Sequence, residues 1–164
     1  WLGKRYKELL SDIFNHKTLA EDFSLYLHRP TATDPSFAPD DCDSFYVLAP
    51  VPNLQASINW NEEGPKLRSR IIKALDETIL PGLARSIEVD FYKTPEDFQT
   101  DYCSVYGAGF SIVPLLSQSA WFRFHNKAEG IANLYLVGAG THPGAGLPGV
   151  LCSAKVVDSL INAA

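Results

Sequence analysis

Twelve consecutive residues, Gly138-Ala139-Gly140-Thr141-His142-Pro143-Gly144-Ala145-Gly146-Leu147-Pro148-Gly149, hold five glycines and two prolines, and Val150 follows them. Glycine loses more conformational freedom on folding than any other residue, so this density points to backbone at positive φ or to something approaching the chain closely. The loop lies between an apolar run, Asn133 to Val137, and a segment with helical periodicity. A helix that starts after such a loop offers unpaired N–H groups and the positive end of its dipole, which suit a pyrophosphate or the polar edge of a flavin. A tight structural connection between strand and helix is the alternative reading.

An autonomous dinucleotide fingerprint, G-x-G-x-x-G with an acid about twenty residues on, does not fit. Gly138 and Gly140 take its first two glycine positions, but Pro143 stands at the third and Asp158 falls inside the helix. Around the loop, His142 either hydrogen-bonds a cofactor or braces the turn. Arg123 either neutralises a phosphate or joins a salt bridge at the edge of the core. Trp121, Phe122 and Phe124 either line an apolar tunnel or pack a core. His125 reads as structural, His16 and His28 as structural or surface residues, and Cys152 as a small buried residue. Ser153 sits near the helix start with no base beside it, so no nucleophilic role is assigned. No histidine has clustered acidic partners, which leaves a metal site without support.

The elements that must position this loop follow from periodicity. Tyr6, Leu9, Leu10, Ile13 and Phe14 recur at helical spacing, which predicts an amphipathic helix ending near Asn15 and His16. Phe23 to His28 and Ser44 to Pro50 read as neighbouring strands, joined by a loop over Pro30 to Asp43. A second helix is expected around Pro65, with Glu62 and Glu63 at its start, a stripe of Leu67, Ile71, Leu75 and Ile79, and Pro81 and Gly82 as its stop. The alternation of Ile87, Val89 and Phe91 with Glu88, Asp90 and Tyr92 predicts a strand. Thr94-Pro95-Glu96-Asp97 then predicts a third helix. Tyr106 to Arg123, with Gly107, Gly109 and Pro114, reads as a buried or cofactor-facing connection. Asn133 to Val137 is expected to be a short strand, and Pro148 to Ala163 a helix with Val150, Ala154, Val157 and Ile161 on its apolar face.

The chain has 164 residues, 46% of them hydrophobic, enough for one ordinary folded domain. Net charge is -5 and the basic residues are scattered, so no nucleic-acid footprint is present. Three cysteines far apart, Cys42, Cys103 and Cys152, fit a reducing, cytoplasmic-side location. No apolar run reaches the roughly 18 to 20 residues that span a bilayer, so any membrane contact would be peripheral. The chain starts at Trp1 and has no methionine, and it is read as a fragment of a longer polypeptide.

The run NLYLVGAGTHPGAGLPGVLCSAK, residues 133 to 155, resembles the C-terminal flavin-contacting signature of the bacterial and fungal-type phytoene desaturases. QSAWFRFHN at 118 to 126, FSLYLHRP at 23 to 30, FYVLAPVP at 45 to 52 and EGPKLRSRI at 63 to 71 are similar to that family too, in the same order. The resemblance covers nearly the whole chain and implies a mixed α/β, two-domain FAD flavoprotein like the monoamine oxidases. Residues 1 to 105 would belong mainly to a substrate domain, and 106 to 164 would return to complete the FAD domain. The fingerprint holding most of the FAD would lie upstream of Trp1. By the same resemblance Gly138, Ala139, Gly140, Thr141, His142, Pro143, Gly144, Gly146, Pro148, Gly149 and Val150 close over the cofactor. The implied activity is dehydrogenation of phytoene or a similar polyene at a membrane surface, with electrons passed from FAD to a quinone or oxygen.

Overall fold

A computed structural model describes residues 1–110, 112 and 115–163. It contains five α-helices and a small antiparallel sheet, a mixed α and β architecture. The chain divides into two units, Trp1–Ala108 and Gly109–Ala164.

In the first unit, α1 (Tyr6–Ser11) runs on into a π-helical turn, Asp12–His16, that stops where Lys17 turns left-handed with φ 55°. This is the end expected near Asn15 and His16. Leu9 and Ile13 are buried, while Tyr6 and Phe14, from the same predicted stripe, are exposed. Arg5 joins Asp12 at 3.1 Å and Asp22 at 2.9 Å, which ties the helix to the chain leading into the sheet.

Strands β1 (Tyr26–His28) and β2 (Tyr46–Leu48) pair antiparallel, Tyr26 opposite Leu48 and His28 opposite Tyr46. The neighbours are the expected ones, but each strand is three residues long, because only there do both backbones face a partner. The connecting loop carries two short 3-10 turns, Pro30–Ala32 and Pro35–Phe37. Asp43 closes its base by accepting from Thr31 Oγ1 at 2.7 Å and Arg29 Nε at 2.9 Å.

Helix α2 (Trp60–Glu77) begins five residues before Pro65, because Asn59 caps it by accepting from the Asn61 N–H at 3.2 Å. Trp60 anchors that first turn in the core with Leu67, Leu75, Leu25 and Ala56. Burying an indole outweighs the hydrogen bond that Pro65 removes inside the helix. The helix stops at Glu77, so Ile79, the last residue of the predicted stripe, is exposed outside it.

The strand expected over Ile87 to Phe91 is not formed. A short helix α3 (Leu83–Ser86) precedes this segment, which then runs extended along α2 held by side chains instead of a ladder. Arg68 of α2 pairs with Asp90, and the Tyr92 ring lies 3.1 Å from where a side chain on Gly64 would begin. Alternation marks a half-buried extended run, but a strand also needs a partner backbone, and none reaches this segment among the described residues. Val89 and Phe91 are each 85% exposed.

Helix α4 (Pro95–Tyr102) starts where Thr94-Pro95 predicted, and its N-terminus is a full capping box. Asp97 Oδ2 accepts from the Thr94 N–H at 2.6 Å and from Thr94 Oγ1 at 2.8 Å, while the Asp97 N–H reaches back to Thr94 Oγ1 at 3.4 Å. In the second unit 3-10 turns occupy Leu116–Gln118 and Ala120–Phe122 of the expected connection, and Pro114 lies outside the described residues. The expected strand over Asn133 to Val137 is reduced to a single antiparallel bridge, Lys127 with Tyr135. Helix α5 (Leu147–Asn162) begins one residue before Pro148, as the loop composition implied. Its predicted apolar face is only partly covered among the described residues: Val150 and Val157 are half-buried, Ala154 and Ile161 are exposed, and of this helix only Ser153 is fully buried. Cys152, expected to be buried, is exposed, as are Cys42 and Cys103.

The capping box supplies a prediction. Thr94→Ala should lower unfolding free energy at neutral pH by about 1 kcal/mol, read from denaturant titration. The Thr94 backbone N–H, and after it the Thr94 hydroxyl, hold the Asp97 carboxyl below its ordinary range. The stability this lends is complete above the unfolded carboxylate pKa of about 3.9 and is lost as pH falls through the lower folded value. Asp97→Asn should therefore flatten the acid limb of stability below about pH 4, and an unchanged limb would count against the box.

Candidate functional site

The glycine-rich loop is held at three points by side chains of its own unit. Ser153, with no accessible surface, donates to the Val150 carbonyl at 2.6 Å and accepts the Gly138 N–H at 2.9 Å, joining the first residue of the loop to the second turn of α5. Asn126, buried, donates to the Leu136 carbonyl at 3.0 Å and approaches Thr141 Oγ1 at 3.4 Å. Arg123, only 7% exposed, donates from Nε at 3.2 Å and Nη2 at 2.6 Å to the Ala139 carbonyl.

The loop's own backbone completes the shape. Thr141 returns its N–H and its hydroxyl to the Gly138 carbonyl at 3.2 and 3.0 Å, closing a turn over Gly138 to Thr141. The His142 N–H binds the Phe124 carbonyl at 2.9 Å beside a parallel bridge between Phe124 and Thr141. The His142-Pro143 peptide is cis. Two glycines meet different demands. Gly138 has φ 110°, and a Cβ there would meet nothing within 4 Å, so its open side faces free space. A Cβ on Gly149 would stand 2.6 Å from the Gly144 carbonyl oxygen, so that glycine is required by the loop's own packing. The close approach at Gly149 is thus made by Gly144.

The chemistry left available lies at the helix start. Gly146, at φ 90°, is the N-cap of α5 and has no side chain with which to cap it, and the first turn holds no acid. Pro148 has no N–H, so Leu147 and Gly149 carry the uncapped donors. The Ala139 carbonyl and the Thr141 hydroxyl are used within the loop, and Thr141 and Gly144 are buried. Gly140 and Val150 are half-buried, and Pro143, Gly146 and Pro148 are exposed. His142 is exposed, with Nδ1 3.4 Å from the Ala120 carbonyl. Trp121, Phe122 and Phe124 are largely exposed and pack no core among the described residues. His125 faces Glu129 at 3.1 Å and stacks at a tilt against Trp121 at 5.1 Å.

Arg123 sits in no salt bridge among the described residues, so the alternative of a core-edge ion pair is not formed there, and this largely buried side chain has one neutral acceptor, the Ala139 carbonyl. Taking a cation out of water without an anion is strongly unfavourable, so an anionic partner suits this position. The uncapped helix start and this cation give a positive character to a loop that is open at Gly138 and Gly146. Sequence reasoning missed the clips made by Ser153 and Asn126. A small hydroxyl one turn into a helix that follows a glycine loop was the available signal for the first, and nothing local marks the second. Among the described residues no group of metal ligands occurs, and no helix is long and apolar enough to cross a membrane.

Removing the Ser153 hydroxyl leaves the half-buried Gly138 N–H without its acceptor. Ser153→Ala should lower unfolding free energy by about 1–3 kcal/mol, read from denaturant titration, and a change within error would mean that the clip is not formed.

No protein-family model matches the chain. Among curated proteins it is 58% identical over 160 residues to a lycopene-forming phytoene desaturase of Pseudescherichia vulneris, covering 97% of this chain and 32% of that protein. It is 55% identical over 160 residues to a lycopene-forming phytoene desaturase of Pantoea ananas, with the same coverage. It is 51% identical over 162 residues to a neurosporene-forming phytoene desaturase of Rhodobacter capsulatus, covering 98% of this chain and 31% of that protein. The chain spans about a third of the length of these relatives. With nearly every residue matched and more than half of the matched positions identical, the chain belongs to the phytoene desaturase family.

Proposed function

We propose that the chain is the C-terminal part of an FAD-dependent phytoene desaturase, which dehydrogenates a long apolar polyene in carotenoid biosynthesis. The observation that carries this reading is the loop from Gly138 to Val150, clipped by Arg123, Asn126 and Ser153 so that the start of α5 stays open, in a chain 58% identical to a named phytoene desaturase.

Bound there, FAD would supply the redox chemistry, as the acceptor of the two hydrogens, with their two electrons, removed from adjacent carbons of the polyene. The residues of this chain bind and orient. The Leu147 and Gly149 N–H groups, at the positive end of the α5 dipole, offer donors to a negatively charged part of the nucleotide. Gly138 and Gly146 leave room for its approach, and His142 stands exposed on the rim. Ser153 holds the loop by joining its two ends, and Asn126 holds it near its start. Residues 106–164 would complete the FAD domain, and residues 1–105 would belong mainly to the substrate domain. Electrons would pass on to a quinone or oxygen, and a polyene dissolved in lipid would place the protein at the cytoplasmic face of a membrane as a peripheral protein.

Full-length protein purified with FAD and incubated with phytoene in vesicles should give coloured products, read as visible absorption of the extracted pigment. Activity confined to another carotenoid or retinoid would move the assignment to a sister oxidoreductase. A full-length protein that binds no flavin would overturn the reading and favour a lipid-binding module. The 164-residue chain alone should show no submicromolar affinity for FAD by flavin fluorescence, because most nucleotide contacts are expected upstream.

A further inference from the structure

The least expected group in the second unit is the Arg123 guanidinium. It is nine-tenths buried, it faces no carboxylate among the described residues, and two of its nitrogens converge on one neutral acceptor, the Ala139 carbonyl. Where a side chain on Gly144 would begin, the nearest atoms are Arg123 Nε at 3.9 Å and Cζ at 4.0 Å, so the cation lies inside the curve of the loop that leads into α5. A structural need for one carbonyl partner would be met by a neutral donor such as glutamine, without the desolvation of a charge. The uncapped start of α5, with no acid in its first turn, adds positive potential of the same sign to the same loop instead of offsetting it. Two positive features concentrated on one loop, with no carboxylate paired to either among the described residues, make a site for negative charge.

We propose that Arg123 is a fixed positive charge held by the Ala139 carbonyl to balance a negative charge on the flavin nucleotide that the Gly138 to Val150 loop contacts. This rests on the flavin reading above and assigns to one residue the charge complementarity of that site. The carbonyl clamp orients the guanidinium and leaves its charge undiminished, as a carboxylate clamp would not. Two parts of a flavin nucleotide bear negative charge: the pyrophosphate always, and the ring once reduced and deprotonated. Charge on the pyrophosphate would be read in affinity for oxidised FAD, and charge on the ring in the reduction potential.

The test compares Arg123→Lys and Arg123→Gln with the unaltered full-length protein. Each is stripped of flavin, titrated with FAD, reloaded for measurement of its midpoint potential, and melted. Arg123→Gln, which keeps a donor and loses the charge, should weaken FAD binding about tenfold or more if the charge meets the pyrophosphate. If the charge meets the reduced ring, the midpoint should fall by about 30 mV for each tenfold preference lost in this two-electron couple. Arg123→Lys, which keeps the charge and loses the fork, should stay within about threefold of the unaltered protein in affinity. A glutamine variant matching the unaltered protein in both affinity and potential would overturn the proposal, whatever its melting temperature. So would equal losses in the two variants. If the glutamine variant does not fold, a folded lysine variant that has lost more than about tenfold in affinity overturns it alone. Unaltered full-length protein that takes up no flavin overturns the flavin reading itself, whereas flavin uptake indifferent to position 123 overturns only the role of Arg123.

Discussion

The second unit depends on a single hydroxyl. Through Ser153 the N–H of Gly138 and the carbonyl of Val150 meet on one oxygen, although the eleven residues 139–149 of glycine-rich chain lie between them. A loop with this many glycines has many conformations in the unfolded chain, and closing it at its base removes most of them at once. The crossing of Gly144 beneath Gly149, too close for any side chain at 149, then has a fixed path. Arg123 and Asn126 act further along the same loop, and their hydrogen bonds have defined targets only once its base is closed.

Local punctuation in the chain was legible, and pairing was not. Thr94-Pro95-Glu96-Asp97 carries a capping hydroxyl, a proline at the first helical position and a reciprocating acid within four residues, so α4 begins where it should. The loop before Leu147 stops and starts structure by residue type alone, and α5 follows. Segment 87–91 alternates as strands do and 133–137 is a short apolar run, yet neither pattern says whether a second backbone lies alongside, and Val89 and Phe91 are in fact exposed. The start of α2 was read in part: Glu62 and Glu63 do fall in its first turn, but Asn59 is one amide among several, and the burial of Trp60 that carries the helix back past Pro65 is tertiary.

The candidate site shows the same division. The glycines and prolines of the loop marked where a cofactor could approach, because their cost must be met by some use of the backbone. The resemblance named the family, and the relatives, more than half identical over almost all of this chain, agree with it. Gly138 and Gly149 could not be told apart from composition: Gly138 is at φ 110° with open space beside it, whereas Gly149 faces the Gly144 carbonyl at close range. Arg123 was singled out as a possible half of an ion pair, and the missing other half is what gives it meaning.

The extended run along α2 bears on how a polypeptide of this kind survives in a cell. Val89 and Phe91 present apolar surface on a segment whose backbone has no ladder partner among the described residues. An edge of that sort is what chaperones and proteases recognise, and what a second unfinished chain would pair with. Whenever this stretch stands uncovered, during synthesis or after cleavage, quality control competes with assembly for it. Shelter for two side chains then governs abundance as directly as the chemistry at the glycine loop governs turnover.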